Sequence, residues 1–70
     1  MAMTYQEITR VTTERIESFM TDSARKSSNE AVSRLYQEWA VGAFFLWSDI
    51  TGDKKTSEDE ARLSKLVGLS

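Results

Sequence analysis

Apolar residues recur every three or four positions along most of this chain, and that spacing predicts amphipathic helices. Two short polar segments interrupt the pattern, at residues 23–29 and 51–55. The periodicity therefore predicts an all-α fold, a small helical bundle with helices over about 4–22, 29–50 and 57–67. The 70 residues are expected to form a single helical domain. Residues 1–3 are expected to be disordered or vector-derived.

Three capping boxes predict where the helices begin. In each, a Ser or Thr precedes a Glu by three positions, so that side chain and backbone satisfy each other's free groups. The pairs are Thr4–Glu7, Ser27–Glu30 and Ser57–Glu60. Ser28 and Asn29 are alternative caps for the second helix. Gly52 and Gly68 follow the last apolar positions of the second and third helices, as C-terminal caps do.

The central helix contains an uncharged run of eight residues, 40–47, that is apolar nearly all the way round. A helix needs one apolar stripe to join a core, so a second covering surface is required. The predicted core consists of Ile8, Ile16, Phe19, Val32, Leu35, Trp39, Leu46, Trp47, Leu63 and Val67. The predicted interface consists of Ala40, Val41, Gly42, Phe44 and Phe45. Glycine costs helix propensity, so Gly42 indicates either another backbone passing closely or a kink.

Small size favours association with a second chain. A chain of 70 residues buries a small fraction of its surface, and the usual remedies are disulfides, metals, oligomerisation or very good helix packing. Cysteine and histidine are both absent, which removes disulfides and the commonest metal ligands. The sequence therefore predicts a symmetric homodimer. The competing interpretation is that the first and third helices sandwich the central one within a single chain.

The residue types argue against catalysis. Without histidine or cysteine the common acid–base and nucleophile arrangements are missing, and the carboxylates fall on solvent faces or in capping turns. The glycines are isolated, so no phosphate-binding loop is predicted. We expect no enzyme activity, cofactor or metal. The uncharged run is also far shorter than the roughly 20 residues that span a membrane.

Binding is therefore the predicted mode of action. The formal charge of −2 gives no general footprint for nucleic acid. We expect a non-catalytic protein–protein interaction module, an accessory or regulatory protein of the cytoplasm that binds an unidentified protein partner. The composition is typical of small accessory proteins of bacteria and their phages. The alternative is a dimeric DNA-associated transcriptional regulator that contacts DNA through the loop residues Arg25, Lys26, Lys54 and Lys55.

Overall fold

Three α-helices make up most of the chain in a computed structural model, which describes residues 3–69. They are α1 (Tyr5–Arg25), α2 (Glu30–Thr51) and α3 (Ser57–Leu66), with a 3-10 turn at Gly52–Lys54 between α2 and α3. The predicted all-α, three-helix fold is confirmed, and the helix bounds differ from the predicted ones by at most three residues. The described residues contain no strand. The expectation that residues 1–3 are disordered or vector-derived lies, for Met1 and Ala2, outside the described residues. Met3 precedes α1 and is half exposed.

Helices α1 and α2 form an antiparallel hairpin that is pinned at both ends by hydrogen bonds. Near the connecting turn, the hydroxyls of Ser23 and Ser33 each donate to the other residue's carbonyl at 3.0 Å. Toward the far end, the buried Trp47 Nε1 donates to the Thr9 hydroxyl at 2.9 Å. These paired contacts fix the register of the two helices.

The first two helix starts agree with the sequence analysis. Thr4 and Glu7 form the predicted capping box, since the Thr4 hydroxyl accepts from the Glu7 amide at 3.1 Å and the Glu7 carboxylate accepts from the Thr4 amide at 3.2 Å. At α2 the cap is Asn29, one of the predicted alternatives, which accepts from the Val32 amide at 3.2 Å.

The cap of α3 lies one residue earlier than predicted. Thr56, not Ser57, accepts from the Asp59 amide at 3.1 Å. The Tyr5 hydroxyl accepts from the Thr56 amide at 3.1 Å and donates to the Asp59 carboxylate at 2.7 Å. The Tyr5 hydroxyl, 51 positions earlier in the chain, therefore accepts the hydrogen bond that a nearby glutamate accepts in a capping box. This contact connects the start of α3 to α1.

The core combines all three helices, and only part of it was predicted. Its buried apolar members are Ile16, Ala40, Phe44, Trp47, Leu63 and Val67. The predictions for Ile16, Trp47, Leu63 and Val67 are thus confirmed. Ile8, Phe19 and Val32 are half-buried, and the first two pack against the buried cluster.

Five assignments on α2 were wrong. Leu35, Trp39 and Leu46 were predicted to be core, but they are 42%, 47% and 60% exposed. Ala40 and Phe44 were predicted to be interface, but their own chain buries them. The reason is the rotation of α2 about its axis, which turns Ala40 and Trp47 inward and leaves the neighbouring apolar sector uncovered.

Candidate interaction surface

Helix α2 has apolar residues on three sides, and the chain covers two of them. Trp47 meets Thr9 of α1. Phe44 belongs to the same buried cluster as Leu63 of α3 and Val67, which caps the end of α3. A third sector faces solvent and carries Leu35, Trp39, Leu46 and Ile50. At about 100° per residue these four positions fall within roughly 60° of one another, on the side of α2 opposite Phe44. We call these four residues the outer stripe.

The outer stripe is more apolar and more exposed than a covered helix face would be. Leu46 and Ile50 are 60% and 57% exposed. Between them and α1 lies a shallow groove of about 190 Å³, to which Val11 and Arg15 also contribute. Val11 is itself an exposed apolar side chain. The uncovered surface therefore extends from α2 onto α1.

Aromatic contacts hold the other end of this surface in place. The rings of Phe19 and Trp39 lie 5.9 Å apart between centroids, and Tyr36 meets Trp39 edge-on at 5.2 Å. The Arg15 guanidinium lies 5.7 Å from the centroid of Phe19, within the range of a cation–π interaction. Trp39 is thus half exposed but flanked by two rings, which restricts its orientation before any partner binds.

A second surface lies between α2 and α3, and it contains the remaining predicted interface residues. Val41, Gly42 and Phe45 line a groove of about 430 Å³ together with Val67 and the polar residues Arg34, Gln37 and Glu38. Phe45 is 55% exposed and packs one side of its ring near Phe44, at 5.7 Å between centroids. We call this surface the α2–α3 groove; it adjoins the outer stripe at Gly42.

Gly42 lies in the open rather than beneath another segment. A Cβ atom at this position would meet no atom within 4 Å. The predicted close backbone is therefore not supplied by this chain. The helix runs without interruption through Gly42, from Glu30 to Thr51.

The basic loop residues are held apart. Arg25 and Lys26 end α1, whereas Lys54 and Lys55 follow α2, so the two pairs lie at opposite ends of the hairpin, about 30 Å apart given the length of α2. The Lys55 ammonium contacts the Ser48 hydroxyl at 2.6 Å and the Glu60 carboxylate at 3.4 Å. One chain thus offers no single basic surface made of all four residues, and DNA binding stays a prediction from sequence.

Within residues 3–69, no cluster of three or more acidic, histidine or cysteine side chains is arranged to hold a metal. The pKa of Asp59 is lowered, mainly because the Tyr5 hydroxyl donates to its carboxylate, with further help from Thr56 and Arg62 against the opposing effect of burial. No helix in this range has the length and apolarity to cross a bilayer.

The exposed apolar surface is the feature that sequence analysis misassigned. Positions 35, 39, 46 and 50 show clear helical spacing in the sequence, but the same spacing fits a core face. No protein-family model, curated protein or solved structure matches this chain. The site must therefore be interpreted from its own geometry.

Proposed function

We propose that this protein is a non-catalytic interaction module, a small accessory or regulatory protein that acts by binding a protein partner. The observation that supports it best is the exposure of large apolar side chains along one helix. The four residues of the outer stripe, Leu35, Trp39, Leu46 and Ile50, are between 42% and 60% exposed. Contiguous exposed apolar patches on small proteins mark interaction sites or lead to aggregation.

The composition of the surface suits protein binding. Tryptophan and arginine dominate the residues whose truncation most weakens interfaces, and both occur here as Trp39 and Arg15. Their contacts with Phe19 restrict their rotamers in the free protein. Less conformational entropy is then lost when a partner binds. A second copy of the chain is the partner that its small size favours.

Affinity capture with matched variants tests the proposal. Leu46→Glu places a charge within the outer stripe, while Thr21→Glu places the same charge on an exposed part of α1. We expect a captured partner to be retained by the wild-type chain and by Thr21→Glu, and to be lost from Leu46→Glu. Circular dichroism checks that both variants are helical. Equal capture by all three proteins would rule out the outer stripe as the binding surface.

A further inference from the structure

The spacing of the outer stripe suits a symmetric occupant. We propose that a second copy of this chain covers it, with the two α2 helices antiparallel and a two-fold axis passing beside Gly42. This proposal rests on the proposed function as an interaction module and specifies the partner and its orientation.

The spacing of the stripe is the same when counted from either end. Trp39 and Leu46 lie equally far from the midpoint between Gly42 and Ala43, and so do Leu35 and Ile50. In a two-fold interface, residue i of one copy meets residue j of the other, and j meets i. An antiparallel pair centred on this midpoint therefore places Trp39 against Leu46 and Leu35 against Ile50, twice each. Every large side chain of the stripe then has an apolar neighbour.

Gly42 has the role in this pair that it lacks within one chain. It lies close to the centre of the stripe, and the space beside it is open to more than 4 Å. A glycine at the crossing point of two helices lets the backbones approach closely, because no side chain separates them. The cost in helix propensity at this position is then offset by packing between the copies.

The charges beside the axis are compatible with the same arrangement. The pairs Thr9–Trp47 and Ser23–Ser33 set the register of the hairpin and put Glu14 of α1 level with Gly42. The two-fold axis thus passes level with the Glu14–Arg15 segments of the two copies, and because each segment carries one acidic and one basic side chain, the facing segments have no net charge. Glu14 also contacts Arg10 at 3.4 Å, and Arg15 leans toward Phe19, which keeps the two guanidinium groups apart.

The available area is of the size that a stable dimer needs. Helices α1 and α2 contain 21 and 22 residues, so side by side they present a face of roughly 20 by 30 Å. A standard interface buries about 800 Å² of accessible surface per partner. The accessible surface of a helical face is larger than its flat outline, because the side chains form ridges. Two such faces therefore reach the standard interface size, and together they form a four-helix core.

Sedimentation equilibrium at micromolar concentration tests the association. We expect the wild-type protein to have twice the mass of one chain. Leu46→Glu should raise the dissociation constant at least about 100-fold, because symmetry buries two unpaired charges. Gly42→Gln should raise it at least about tenfold through steric separation, while leaving the helical content unchanged. This second variant keeps the test valid if Leu46→Glu fails to fold.

Phe45→Glu is the matched control. It introduces the same charge at the next position, which is similarly exposed but lies on the α2–α3 groove about 100° round the helix. We expect its dissociation constant to stay within about threefold of wild type, since an exposed surface change away from the interface has little effect. A wild-type monomer would overturn the proposal. So would a dimer that Phe45→Glu dissociates and Leu46→Glu does not.

Engineered cysteines test the orientation, since the chain has none of its own. A mixture of Leu35→Cys and Ile50→Cys proteins should form a mixed disulfide on mild oxidation. Leu35→Cys alone should not, because its two copies would be about 22 Å apart along the helix axes. A disulfide between two Leu35→Cys chains would instead indicate parallel helices and contradict the proposal.

A monomeric wild-type chain that still captures a foreign protein through the outer stripe would refute the dimer and leave the proposed function intact.

Discussion

The contact between Tyr5 and the start of α3 gives the sharpest stability prediction. Tyr5→Phe removes a single hydroxyl that accepts from the Thr56 amide at 3.1 Å and donates to the Asp59 carboxylate at 2.7 Å. The phenyl ring remains, including its tilted contact with Trp47 at 6.4 Å between centroids. The substitution therefore tests the two hydrogen bonds with little change in packing.

The expected magnitude follows from the charge and exposure of the partners. A hydrogen bond to a charged group contributes about 1.5–3 kcal/mol to stability, and a neutral one about 0.5–1.5 kcal/mol. The Asp59 side chain is 28% exposed and the Thr56 amide is exposed, so water replaces part of what is lost. We expect Tyr5→Phe to lower the free energy of unfolding by about 2 kcal/mol. For a domain of this size, that lowers the melting temperature by roughly 10 °C.

The pH dependence gives an independent readout. The pKa of Asp59 in the folded chain lies below its ordinary value of 3.8, chiefly because of the Tyr5 hydroxyl. The stabilisation is therefore fully present above pH values near 4 and is lost as the pH falls through the folded pKa. In Tyr5→Phe the pKa of Asp59 should rise toward its ordinary value, so the variant should lose less stability on acidification than the wild-type chain.

Urea unfolding followed by circular dichroism, and an NMR titration of Asp59, provide the measurements. The control is Tyr36→Phe, the same deletion at the chain's other tyrosine, whose ring packs against Trp39. We expect its effect to stay below about 0.5 kcal/mol. If Tyr5→Phe is as stable as the wild type and the Asp59 pKa does not move, the contact between Tyr5 and α3 does not contribute as described.

Substitutions at Thr9, Gly52 and Gly42 test the hairpin and the end of α2 by urea unfolding. Thr9→Val removes the acceptor of the buried Trp47 Nε1–H and should lower the free energy of unfolding by about 1–3 kcal/mol. Thr9→Ser keeps the hydroxyl and should lower it by about 1 kcal/mol or less. Equal losses for the two variants would refute the role of this hydrogen bond. Gly52→Ala should destabilise the chain by about 1–2 kcal/mol because Gly52 has a φ of +53°. Gly42→Ala should stabilise the dilute monomer by up to about 1 kcal/mol, because Gly42 is helical and has open space around it. If both glycine substitutions changed the free energy of unfolding in the same direction, this explanation would be wrong.

Interactions between neighbouring residues specify the three helices and most of their ends. Helical periodicity and the absence of proline act locally, so the three elements follow from neighbouring residues alone. The capping box of Thr4 and Glu7 is local too, and it forms as predicted. The cap of α3 was missed by one residue because its partner, Tyr5, comes from the opposite end of the chain.

Long-range packing selects which apolar face of α2 is covered. Its sequence is apolar on several sides, so periodicity allows either Leu46 or Phe44 to point inward. The rotation of α2 is set by contacts between distant residues, such as Trp47 with Thr9 and Ser33 with Ser23, which bury Phe44 and leave Leu46 in solvent. Local spacing can define the faces of a helix, but the choice among them depends on long-range packing, and in this protein that choice creates the candidate interaction surface.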